Sequence, residues 1–145
     1  MPRRPLSAEE LATVTARSGS RCEYCQCPSD YSAQPFVCEH ITPIAKGGQT
    51  DLSNICFACG GCNGHKYTKT EALDPVSKRV VPLYHPRIHQ WSEHFSWSDD
   101  YLHVIGLTPM GRATVIALKL NRQAVMNIRS LLLLAGKHPP KTENE

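Results

Sequence analysis

Cys22-Glu23-Tyr24-Cys25 and Cys59-Gly60-Gly61-Cys62 bracket a stretch that holds Glu39-His40-Ile41-Thr42-Pro43, Gly47-Gly48 and Asn54. The two C-x2-C pairs decide how this region folds. Two residues between cysteines let both sulfurs reach one tetrahedral ion at about 2.3 Å, and two such pairs complete a four-sulfur zinc site with no open position for chemistry. The 33 residues between Cys25 and Cys59 exceed the roughly 15–20 of a simple zinc ribbon. The bracketed segment must therefore be a folded unit pinched at its base by metal. Without metal, the same cysteines would be small buried hydrophobes or a redox pair.

The whole composition supports the metal reading. All seven cysteines of the 145 residues lie between Cys22 and Cys62. Met1 to Pro5 is basic but no apolar run follows, so no export signal is expected and a disulfide framework is not. The expected location is cytoplasmic. Cys38 and Cys56 sit among apolar residues and read as buried hydrophobes. Cys27 is near enough to compete as a zinc ligand. Hydrophobic residues make up 41% and charged residues 20%, which excludes wholesale disorder. The longest apolar run, Leu131 to Ala135, is far short of the ~18 residues that span a bilayer, so no membrane partner is expected. Residues 1–72 carry seven basic and seven acidic groups; the net +3 arises from nine against six in 73–145. That bias permits an anionic partner without demanding one.

Outward from the centre, the pattern predicts mixed elements. Residues 1–5 read as a frayed arm. Ser7 and Glu10 form a capping box that starts a helix over 8–17, ended at Gly19. Residues 36–44 predict a short strand bent near Pro43, 51–58 a loop anchored by Leu52 and Ile55, and 61–69 a helix. In the second half, 80–84 is β-prone. Residues 94–98 and 102–107 predict a hairpin about Ser98-Asp99-Asp100. Thr108-Pro109 caps a helix to about Lys119. Asn121 can cap another, with Val125, Ile128, Leu132 and Ala135 on one face and Gly136 as its stop. Pro139-Pro140 begins a tail. Trp91, Phe95 and Trp97 read as core. Arg79, Arg87, Arg112 and Arg122 read as solvated or phosphate-contacting, and histidines 85, 89, 94 and 103 show no ligand spacing.

Inside the pinched segment, a carboxylate beside a histidine, an asparagine, and polar groups opening a helix suit a hydrolytic metal site. A hard cation such as Mg²⁺ takes oxygen ligands and keeps several waters. It can then neutralise charge on a transferring phosphate. A neutral histidine can take a proton from water near pH 7.

Taken in order, Cys22-x-x-Cys25, Glu39-His40-Ile41-x-Pro43, Gly47-Gly48, Asn54, Cys59-x-x-Cys62-Asn63 and Lys66 resemble the HNH endonuclease family over residues 21–67. The resemblance implies a ββα-metal core with structural zinc; with the C-terminal hairpin and two helices that the pattern predicts, the expected fold class is α+β. It implies His40 as general base and Asn54 as the residue that holds the loop and orients that base. Glu39, where the family usually has Asp, and Asn63, where many members have His, would bind the catalytic Mg²⁺ or Mn²⁺. Cys22, Cys25, Cys59 and Cys62 would hold the structural Zn²⁺. Lys66 would contact phosphate, and His65, about 200° round the helix from Asn63, would face DNA or solvent. The chain thus divides into 1–72, the nuclease core with its N-terminal helix, and 73–145, an α/β extension packed on it. The activity implied is hydrolysis of DNA phosphodiesters, one strand per site, with two copies or two encounters needed for a double-strand break. The alternative is a non-catalytic zinc-stabilised module that binds nucleic acid.

Overall fold

Helix α1 (Ala8–Arg17) starts where the sequence places it. In this computed structural model, which describes residues 4–141, Ser7 Oγ accepts from Glu10 N and the Glu10 carboxylate accepts from Ser7 N. The preceding arm is tied down at Arg4, whose guanidinium donates to both Glu10 oxygens and to Thr50 O at 2.7 Å. Residues 1–3 of the expected frayed arm lie outside the described residues. The helix buries Val14 against Ile55 and Phe57.

Strands β1 (Val37–His40) and β2 (Ile55–Ala58) pair antiparallel, with Glu39 opposite Cys56 and His40 opposite Ile55. Half of the segment read as a loop over 51–58 is therefore strand. All four β2 residues are buried. A strand covered on both faces has no polar–apolar alternation to betray it. Helix α2 (Gly60–Lys66) follows directly and ends three residues earlier than expected, because Tyr67 turns the chain at φ +50°.

The second half opens with a hairpin the sequence pattern did not show whole: β3 (Glu71–Leu73) pairs with β4 (Val80–Pro82). The boundary drawn between residues 72 and 73 falls inside β3. Asp74 organises the hairpin's turn by accepting from Val76 N and Ser77 N. A short helix α3 (Trp91–His94) leads into the expected hairpin, β5 (Phe95–Trp97) and β6 (Val104–Gly106). Thr108 Oγ1 caps α4 (Pro109–Ala117) at Gly111 N, as expected.

Two expectations at α5 (Gln123–Leu134) fail for identifiable reasons. Asn121 does not cap it. Its amide is used across the chain, accepting from Val104 N at 2.7 Å and donating to Val104 O at 2.9 Å. The buried face is also not wholly apolar: Val125 and Leu132 flank a buried Arg129, and Ala135 is exposed. Gly136 stops the helix at φ +72°. Just before the expected tail, His138 is buried edge-on to Trp97 at 4.5 Å and bonded to Tyr101 O. Residues 142–145 lie outside the described residues.

One apolar cluster joins the halves. It holds Cys22, Tyr24 and Cys62 from the first and Leu83, Phe95 and Leu118 from the second. Phe95 is buried, and Trp91 and Trp97 pack against the cluster. Polar ties reinforce the junction: Trp91 Nε1 donates to Tyr24 O at 3.0 Å, and Arg87 pairs with Glu23. Among the described residues no helix is long and apolar enough to cross a membrane.

Candidate active site and zinc site

The loop between β1 and β2 brings the candidate residues together. After His40 the chain passes Pro43 and makes a single turn of 3-10 helix that Gly47 ends at φ +92°. Gly48 then runs against Thr42: a Cβ there would lie 1.9 Å from Thr42 O and 2.9 Å from Asn54 Nδ2. Asn54, buried at the start of β2, staples the loop closed. Its Oδ1 accepts from Thr42 N at 2.8 Å, and its Nδ2 donates to Thr42 O at 3.0 Å and Gln49 O at 2.9 Å. With its amide saturated in this way, Asn54 acts on loop shape. The returning chain places Thr50 Oγ1 2.8 Å from His40 Nε2.

Glu39, His40 and Asn63 line one cleft of about 430 Å³, which Pro43, Ile44 and Tyr67 help to wall. Glu39 is only 7% exposed, and burial pushes its carboxyl above the usual carboxylate range. The Lys66 ammonium and hydrogen bonds with Cys56 and Tyr24 pull it partly back. A cation in the cleft would favour the ionised form further. A carboxylate oxygen and an amide oxygen are donors that suit a hard divalent ion. The arrangement therefore fits the ligand pair the resemblance implies.

One expected contact is placed differently. Lys66 is 1% exposed, and its Nζ donates to Ile41 O at 2.6 Å beneath the strand. A phosphate contact would need an accessible ammonium; Lys66 instead favours the Glu39 carboxylate by its charge and holds the Ile41 carbonyl just past β1. His65 lies on another side of α2 from Asn63. Desolvation, joined by the positive charges of Arg122, Lys119 and Lys69, holds its pKa below the ordinary histidine value.

At the base of the unit, the sulfurs of Cys22, Cys25, Cys59 and Cys62 all lie within 4.8 Å of one another. Cys25 Sγ and Cys59 Sγ are 3.8 Å apart, which is about the edge of a tetrahedron with ~2.3 Å zinc–sulfur bonds. Backbone N–H groups of Cys25 and Cys62 point at the sulfurs of Cys22 and Cys59. The cluster suggests a structural zinc site, and its donors fit one. Cys27 stands outside the four, and Cys56 is buried between Tyr24 and Glu39.

Sequence reasoning missed Thr50, Tyr24 and Arg4 at the site. Thr50 touches His40 only because two glycines fold the loop back, and the arm's Arg4 holds Thr50 by its carbonyl. Tyr67 was also missed. It is 75% exposed beside the cleft, in a backbone region unusual for a side chain this large. The glycine pair was the one signal that could have pointed to Thr50.

Among known families, residues 22–69 match the HNH endonuclease model. The resemblance carried by the motif order thus holds for that segment, and it suggests a nuclease acting on DNA. No curated protein and no solved structure matches the chain.

Proposed function

We propose that this protein is a metal-dependent DNA endonuclease whose ββα-metal unit is made of β1, β2 and α2. The observation that carries this is one cleft lined by Glu39, His40 and Asn63, inside the segment matched by the HNH endonuclease family. His40 accepts the proton of the attacking water, with its ring held by Thr50. Thr50 is in turn held by Arg4. Asn54 keeps the loop closed so that His40 and Thr50 stay in register. Glu39 and Asn63 would hold a divalent ion, Mg²⁺ or Mn²⁺, that offsets charge on the phosphate and on the leaving oxygen. Tyr24, Cys56 and Lys66 fix the Glu39 carboxylate from the core side. One such site cuts one strand, so a double-strand break needs two copies or two encounters. Plasmid relaxation in Mg²⁺, Mn²⁺ or EDTA tests the reading. Nicking that needs the metal supports it. DNA binding without nicking under any metal would leave only the zinc-stabilised binding module.

A further inference from the structure

Arg122 stands where α4 hands the chain to α5, and its guanidinium faces the second cysteine pair. Nη2 donates to Cys59 Sγ at 3.4 Å, Nη1 to Cys62 Sγ at 3.5 Å, and Nη1 also ties back to Lys119 O at 3.1 Å. The Cys-Gly-Gly-Cys knuckle is shaped to receive it. A Cβ on Gly61 would lie 2.4 Å from Arg122 Nη2 and 2.9 Å from its Cζ, whereas one on Gly60 would meet nothing within 4 Å.

Arg129 lies seven residues on, about two turns along α5, and is 1% exposed. Its donors go to neutral oxygens: Leu102 O, Asn121 Oδ1, Leu120 O and Cys25 O. Its Nε has no hydrogen-bond partner, and the Trp97 ring lies 5.2 Å from Cζ. Among the described residues, the acid–arginine pairs are Arg4–Glu10, Arg87–Glu23 and Arg112–Asp74. Neither Arg122 nor Arg129 pairs with a carboxylate among these residues. The side-chain acceptors of Arg122 are the Cys59 and Cys62 sulfurs.

A buried guanidinium without an anion is strongly unfavourable. A zinc ion bound by four thiolates has the opposite difficulty, with a net charge of about −2 in a buried place. We propose that Arg122 is the counter-ion of the four-cysteine zinc site, so that the C-terminal extension completes a metal centre whose ligands all precede it. Arg122 acts by direct forked donation to two sulfurs, and Arg129 ties the same helix to the Cys25 carbonyl at 3.4 Å. Zinc retention and the docking of α5 are then two sides of one equilibrium. The proposal rests on the zinc reading and is independent of the nuclease activity.

The test starts with elemental analysis of wild-type protein prepared without chelator, which should find about one zinc per chain. Wild type without zinc would overturn the zinc reading and this proposal with it. Chelator-driven zinc release is then timed for Arg122→Gln, Arg122→Lys, Gly61→Ala, the Gly61→Ala/Arg122→Gln pair, and Leu132→Ala. Leu132→Ala removes packing from the same helix without touching charge. Arg122→Gln should release zinc at least ~10-fold faster, the lower end for losing an outer-shell partner. Arg122→Lys, which keeps the charge and loses the fork, should fall between it and wild type. Gly61→Ala should mimic Arg122→Gln, and the pair should release no faster than Arg122→Gln alone. In Co²⁺-substituted protein, Arg122→Gln should shift the sulfur-to-cobalt charge-transfer band, and Leu132→Ala should not. Release from Arg122→Gln at the wild-type rate would overturn the proposal. So would equal release from Leu132→Ala and Arg122→Gln at matched thermal stability.

Discussion

Residues 22–69 and residues 73–141 are built on opposite principles. In the first, polar side chains lie at short, fixed spacings and converge: Glu39 and His40 are neighbours, and Asn63 follows Cys62 at the head of α2. In the second, polar groups are scattered and several find partners far along the chain. Arg112 reaches Asp74, Asn121 reaches Val104, and Arg87 reaches Glu23. The first region concentrates chemistry and leaves a cleft open. The second spends its polar groups on joints and closes the core around the cysteine cluster. A motif-dense unit of this size buries little apolar surface of its own. The four-cysteine cluster lies below it, and the extension packs beside it.

Removing the metal base should have the largest effect. Structural zinc contributes about 10–16 kcal/mol in small zinc domains, comparable with the roughly 5–15 kcal/mol stability of a whole domain. Cys59→Ser should therefore abolish cooperative thermal unfolding in both regions together, because they share one core. A wild-type melting curve with the zinc gone would separate the two regions and break the comparison.

A smaller effect is expected within the first region, where the two helix side chains should part ways. Asn63→Ala should raise the Mg²⁺ concentration for half-maximal nicking roughly tenfold, about 1.4 kcal/mol, and Asn63→His should favour softer ions such as Mn²⁺ or Ni²⁺. His65→Ala should leave the metal requirement unchanged and at most weaken DNA binding in a salt-sensitive way. A metal titration in which His65→Ala shifts the curve and Asn63→Ala does not would reverse the assignment.

The smallest effect concerns a joint of the second region. Arg112 holds the Asp74 carboxyl well below the usual aspartate value, aided by Ser77 and Val76 N–H groups. A depressed folded-state value means stability that is present above the ordinary aspartate value near 3.9 and lost as pH falls through the folded value. Asp74→Asn should melt below wild type at neutral pH, and the gap between the two curves should close as pH falls below about 4. A gap constant from pH 7 to 2 would show that the pair carries no such linkage.

The first region was legible in the sequence because its signals are local. C-x2-C pairs and the Glu39-His40 dipeptide need only spacing to be read, as does the Ser7–Glu10 capping box just before the region. β2 escaped because it is buried on both faces, and Lys66 was misplaced because a lysine on a short helix gives no sign of pointing inward. The second region hid its logic for the complementary reason. Asn121 looked like a helix cap and is a bridge to β6. Arg87, Arg112 and Arg122 looked like surface and are bound to Glu23, Asp74 and two cysteine sulfurs. Each of those partners lies more than 35 residues away, a distance over which spacing carries no signal.

The cleft's chemistry is tested most directly by plasmid nicking with purified wild type and His40→Ala, both checked for zinc content and melting temperature. Wild type should convert supercoiled plasmid to open circles with Mg²⁺ or Mn²⁺ and stop on EDTA addition. His40→Ala should melt like wild type and nick at least ~100-fold more slowly, the lower end for general-base catalysis. Folded, zinc-loaded His40→Ala that nicks at the wild-type rate would contradict the assignment of His40 as the base.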